Sequence, residues 1–139
     1  MITRAIENCF KNAKSRGWVK TYWAFDIHST ILKPNYRRDD IAKEFYPCAV
    51  EVLQALAKRK EIVKILYTCS YPHEIDQYLE HFKAHGIHFD YVNENPDVAN
   101  GGYGYYEDKI YFNVLFDDKA GFDGETDWKE INDLIKKYL

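Results

Sequence analysis

Apolar residues recur along this chain with two different spacings, and the two alternate. Ile2, Ala5, Ile6, Cys9, Phe10 and Ala13 stand three and four apart, which predicts a helix over about 2–16, with Gly17 placed for a left-handed C-terminal cap. Thr21 to Phe25 is β-branched and aromatic without polar alternation, the pattern of a strand buried on both faces. Pro34 to Arg38 breaks the pattern. From Asp39 or Asp40 a second helix is expected through Ile41, Ala49, Val50, Leu53 and Leu56 to Lys58-Arg59-Lys60, with Pro47 interrupting it or starting its main segment. Ile62 to Tyr67 predicts the next strand, ending in the polar turn Thr68-Cys69-Ser70. Pro72 then suits the first turn of a helix with Ile75, Tyr78, Leu79 and Phe82 on one face and Gly86 after its end. Phe89 to Val92 is a short strand candidate. Asn93 to Asp108, with Asn95-Pro96 and Asn100-Gly101-Gly102-Tyr103-Gly104, predicts a loop long enough to be functional. Ile110 to Phe116 returns to strand character before Asp117-Asp118. A last helix runs from Asp127 to Tyr138, with Thr126 as N-cap and Trp128, Ile131, Leu134, Ile135 and Tyr138 on one face.

Strands alternating with helices predict an α/β fold with a mainly parallel sheet and right-handed crossovers. A chain of 139 residues fits one domain, 1–139, with its core from about residue 20 onward. The aromatic content, 12 Tyr, 8 Phe and 3 Trp, is high enough that some rings are expected at a surface. A net charge of -3 gives no electrostatic basis for gripping long nucleic acid. No stretch approaches the roughly 18–20 apolar residues of a membrane span, and the start lacks the build of a signal peptide, so cytoplasmic residence and no membrane partner are the expectations. Cys9, Cys48 and Cys69 have no zinc-site spacing and read as small core residues. His73, His81, His85 and His88 share no spacing with a carboxylate that defines a metal site and read as surface or helix-end residues.

In parallel sheets ligands sit beyond the carboxyl ends of the strands. Asp26, Thr68 and Asp117-Asp118 each follow a predicted strand directly. Three carboxylates brought together there would repel one another unless they held a cation, and such oxygen donors suit Mg²⁺ with a substrate phosphate. Thr68, with Ser70 as the alternative, can donate a hydrogen bond to a phosphate oxygen, and a nearby Lys can offset negative charge. The carboxylate of Asp26 is the obvious nucleophile for phosphoryl transfer.

In that order of motifs the chain resembles the haloacid dehalogenase (HAD) superfamily, over roughly residues 20 to 125. Its first motif, D-x-D-x-T, is matched by Asp26-Ile27-His28-Ser29-Thr30, and its acidic pair by Asp117-Asp118 after a late strand. The resemblance implies a Rossmann-like three-layer sandwich, capless or minimally capped because the segments after Asp26 and Thr68 are short. It implies Mg²⁺ and an aspartyl-phosphate mechanism. Asp26 would be nucleophile and metal ligand, the backbone carbonyl of His28 a second ligand, Asp117 a direct ligand and Asp118 a support behind it. Thr68 and Lys109 would hold phosphoryl oxygens, with Lys83 as the competing lysine. Ser29, Thr68, Cys69, Arg37 and Arg38 are the candidates for substrate contact, and Tyr103, Tyr105 and Tyr106 for ring stacking or packing. The expected partner is a small phosphorylated substrate or the phosphorylated end of a larger one, with a homo-oligomer as an option. One departure stands out: His28 occupies the place of the second Asp, the acid/base. An imidazole with an unperturbed pKa of ~6.5 can take that role. A scaffold without turnover, serving as a binding or structural protein, is the alternative.

Overall fold

Four strands, β1 (Thr21–Phe25), β2 (Ile62–Leu66), β3 (Tyr91–Val92) and β4 (Val114–Phe116), form an all-parallel sheet in the order β3-β2-β1-β4. The computed structural model describes residues 1–37, 39–98 and 101–139. Helices α1 (Ile2–Arg16), α2 (Ala49–Ala57), α3 (Pro72–Ala84) and α4 (Asp127–Tyr138) alternate with or flank the strands. The chain winds outward from β1 through β2 to β3, then returns to place β4 on the other side of β1. The carboxyl ends of β1 and β4 therefore border the point where winding reverses, where open parallel sheets leave a crevice.

The register explains which residues became core. Trp23 and Phe25 of β1, Leu66 of β2 and Phe116 of β4 share one face, and the buried residues of all four helices join them in a single apolar cluster. Phe116 is the hub, stacking on Phe25 at 4.3 Å and on Trp128 of α4 at 5.7 Å between ring centroids. Trp128 also donates its indole N–H to the carbonyl of Thr30 at 2.8 Å, both residues being fully buried, which ties α4 to the turn after β1. Replacing Trp128 by Phe removes that donor and part of the ring, so the unfolding free energy should drop by about 2 kcal/mol or more in a denaturant titration.

The opposite face, Ala24, Val63 and Ile65, is covered by Ile110 and Phe112 together with Tyr22, Tyr91 and Leu115. The α/β sandwich is Rossmann-like, with irregular chain supplying its third layer. Lys64 is the one charged residue buried in the strands. Its ammonium donates to the Leu56 and Arg59 carbonyls at 3.0 and 3.2 Å, and burial pushes its pKa down.

Helix one, with Gly17 left-handed at φ 69, the Pro72 helix and the last helix fall where the spacing predicts them. Two segments differ. Residues 39–47 are not helical: the Leu32 and Phe45 backbones form an antiparallel bridge, and Lys33 and Tyr46 donate to the Glu44 and Ile31 carbonyls. Pro47 cannot donate to a helical ladder and biases Tyr46 toward extended backbone, so the helix begins at Ala49. Strand character before Val114 also fails to become sheet. Asn113 exchanges two bonds with the Tyr22 backbone, one through its own side-chain oxygen at 2.8 Å, which ends the ladder. Thr126 stands at the N-cap of α4, but its hydroxyl caps no helix amide. No helix among the described residues is long and apolar enough to cross a membrane.

Candidate functional site

The turn after β1 is held by its own backbone. The Asp26 amide donates to the Phe116 carbonyl at 2.9 Å, and Ile31 and Leu32 both donate to the Ile27 carbonyl. Ser29 takes a left-handed conformation, φ 59, to make the bend. Asp26 thereby faces the residues that follow β4, and carboxylate oxygens of Asp26, Asp117 and Asp118 lie within 4.8 Å of one another, all half-buried. Thr30 links the two turns: its hydroxyl donates to Asp26 Oδ2 at 3.2 Å and accepts the Asp118 amide at 3.1 Å. Asp117 Oδ1 accepts the Lys119 amide at 2.9 Å.

This crowding has an electrostatic signature. Burial, the charge of Asp117 and a hydrogen bond to Asp118 push the Asp26 carboxyl up to about 7. A hard divalent cation fits such a donor set, and Asp26 and Asp117 are the side chains that would hold it.

His28 lines the same pocket as Asp26, along with Ser29, Arg37, Cys69, Asp118 and Lys119. Its Nε2 is 2.6 Å from the hydroxyl of Tyr78, a residue of α3 that is 1% exposed. Burial raises the pKa of Tyr78, so it meets His28 as a neutral phenol. Burial also lowers the pKa of His28, against the opposing pull of Glu74. A neutral ring that accepts the Tyr78 proton at Nε2 carries its own proton on Nδ1, and one that donates from Nε2 leaves Nδ1 bare.

The remaining sequence candidates distribute unevenly. Thr68 is half-buried in a turn bracketed by Asn93, whose side chain accepts the Thr68 amide and donates to its carbonyl, each at 2.8 Å. Its hydroxyl accepts the Ser70 amide and pairs with the Ser70 hydroxyl at 2.8 Å. Cys69 is exposed in the Asp26 pocket, so the expectation that all three cysteines are core holds for Cys9 only, with Cys48 half-buried. The physical reason is position: Cys69 lies beyond the last β2 residue, where the sheet no longer covers it. Ser29 lies beside Tyr46 and works against the rise that burial gives the Tyr46 pKa. Arg37 is exposed at the pocket and 4.0 Å from Asp40. Arg38 lies outside the described residues, as does Asn100. Lys109 lines a separate cleft with Tyr67 and Asn93. Lys83 sits eleven residues past the start of α3, roughly 16 Å along the helix, toward the other end of the sheet. Lys119, which sequence reasoning passed over, is the lysine at the Asp26 pocket. Its place directly after Asp117-Asp118 was the available signal.

No family model and no curated protein matches this chain. Among solved structures it is similar to a conserved protein from Bacteroides thetaiotaomicron, at 26% sequence identity and a TM-score of 0.65, over 86% of this chain and 93% of that one. The likeness runs through nearly the whole α/β fold.

Proposed function

We propose that the protein is a Mg²⁺-dependent phosphohydrolase that works through an aspartyl-phosphate on Asp26. The observation that supports this reading is the convergence of Asp26, Asp117 and Asp118 within 4.8 Å at the reversal point of the sheet. A bound Mg²⁺ would neutralise the phosphoryl oxygens and the carboxylates together. Asp26 attacks phosphorus, the bond to the substrate oxygen breaks, and that oxygen gains a proton. Water then attacks the phosphorus of the aspartyl-phosphate, loses a proton, and releases phosphate and a free Asp26. His28 can serve this cycle from its protonated form: the imidazolium gives one proton to the leaving oxygen, and the neutral ring that remains regains a proton from the attacking water. Thr68 and Lys119 are assigned to the phosphoryl oxygens, Lys119 in place of Lys109, which lines the separate cleft.

The second reading, a scaffold that binds without turnover, draws on one observation. His28 is anchored to Tyr78 at 2.6 Å instead of standing free as a short carboxylate would. Phosphate release from an aryl phosphate separates the two. The hydrolase reading expects release that needs Mg²⁺ and stops with chelator. An inert wild type whose His28→Asp variant gains activity would establish the scaffold.

A further inference from the structure

On the sheet face away from the helices lies a cleft of about 580 Å³. Tyr67 lines this cleft and Cys69 lines the Asp26 pocket, so the Thr68 turn stands between the two. The cleft is within the size range of small-molecule sites. Beside Pro96, Val98 and Ile110, its apolar surface includes rings: Tyr67 and Phe112 at 6.4 Å and 45°, and Tyr106 and Tyr111 at 5.6 Å and 84°. Tyr67 is 41% exposed although it directly follows a fully buried strand residue. The wall is preformed, because Asn93 brackets Thr68 and Asn95 holds the Tyr111 carbonyl at 2.9 Å. Among the described residues its charged lining is Glu94, Glu107 and Asp108 against Lys109.

We propose that this cleft binds the organic part of the phosphorylated substrate, and that this part is a planar, donor-bearing ring of nucleoside type with no second anionic group. The inference rests on the phosphohydrolase reading for what happens to the phosphate. Flat rings stack on aromatic side chains without demanding one base. Amino and hydroxyl groups of such a ring donate to the Glu94 and Asp108 carboxylates. A second phosphate would meet three negative charges and one positive, which disfavours polyphosphates and sugar bisphosphates.

The test is a titration of adenosine, which carries no phosphate, into the isotope-labelled full chain, followed by amide chemical shifts. The expected result is saturable shifts confined to Tyr67, 93–95 and 106–112, weakened about tenfold in Tyr67→Ser, the order expected for losing one stacked ring. Adenosine diphosphate should shift the same amides more weakly than adenosine. In turnover, Tyr67→Ser should raise KM for adenosine monophosphate and leave a small aryl phosphate unaffected. No shifts, shifts elsewhere, or tighter binding of the diphosphate in the cleft overturns the proposal. If aryl phosphate is hydrolysed and adenosine does not bind, the cleft proposal falls and the hydrolase reading stands. If adenosine binds there and no phosphate is ever released, the cleft stands and the hydrolase reading falls.

Discussion

Asp26→Asn should reduce Mg²⁺-dependent phosphate release by on the order of 10³-fold or more, as removal of a nucleophile does. The fold should survive, because Asn keeps the backbone bond from residue 26 to the Phe116 carbonyl and can still accept from Thr30. Indeed the metal-free variant should melt higher than the wild type near neutral pH. The substitution removes one of three clustered charges whose crowding raises the Asp26 carboxyl to about 7. Loss of activity with retained or raised melting temperature distinguishes a lost nucleophile from a lost fold. Activity that survives in the variant would end the mechanism.

The second large effect is on stability and reads the same cluster without turnover. The folded-state pKa of Asp26 lies above its unfolded value of 3.8, at about 7. Between about pH 4 and about pH 7 the folded protein therefore holds a proton that the unfolded chain has released, and this group's contribution to stability is lost as pH rises through that window. The metal-free wild type should lose stability relative to Asp26→Asn across the same interval. Mg²⁺ should reverse the trend, since a cation takes the place of the proton, and its stabilisation should be larger above pH 7 than below pH 5. At a hundredfold excess over its dissociation constant it should add about 2.7 kcal/mol. A melting temperature indifferent to Mg²⁺ at both pH values, or a metal-free wild type that gains on Asp26→Asn as pH rises, would contradict the assignment.

Much of the fold was legible because the helices and β1 have apolar patterns of one period, and a buried parallel strand such as Thr21–Phe25 has no polar alternation to confuse it. The meeting of Asp26 with Asp117-Asp118 was legible too, since it follows from the rule that sites lie at strand carboxyl ends. What escaped has a physical reason in each case. Ile41 and Ala42 are buried and helix-compatible, but the backbone of residues 31–33 competes for the segment that follows them, and Pro47 tips the balance toward that pairing. Asn113 delays the start of β4 through a side-chain bond that no hydrophobic pattern encodes. Tyr78 looked like one more apolar position of α3; only the fold reveals that its hydroxyl, fifty residues away in sequence, meets His28. Thr30 was visible as the last letter of a motif, but its bridge between Asp26 and Asp118 depends on β4 lying beside β1.

His28 is thus a residue with two anchors, the turn that carries it and the Tyr78 hydroxyl that orients it. An acid/base held in one orientation suits repeated proton exchange better than a ring free to turn. The same anchoring would also suit a scaffold. The decision lies with the covalent step itself.

The most direct measurement is an acid quench of the protein during turnover of an aryl phosphate with Mg²⁺, followed by mass spectrometry of the peptide containing Asp26. The predicted result is one phosphoryl group on Asp26, absent without substrate, absent in Asp26→Asn and accumulating when His28 is replaced by Ala. Phosphate release with Asp26 never modified, or a phosphoryl group carried by another residue, would contradict the account.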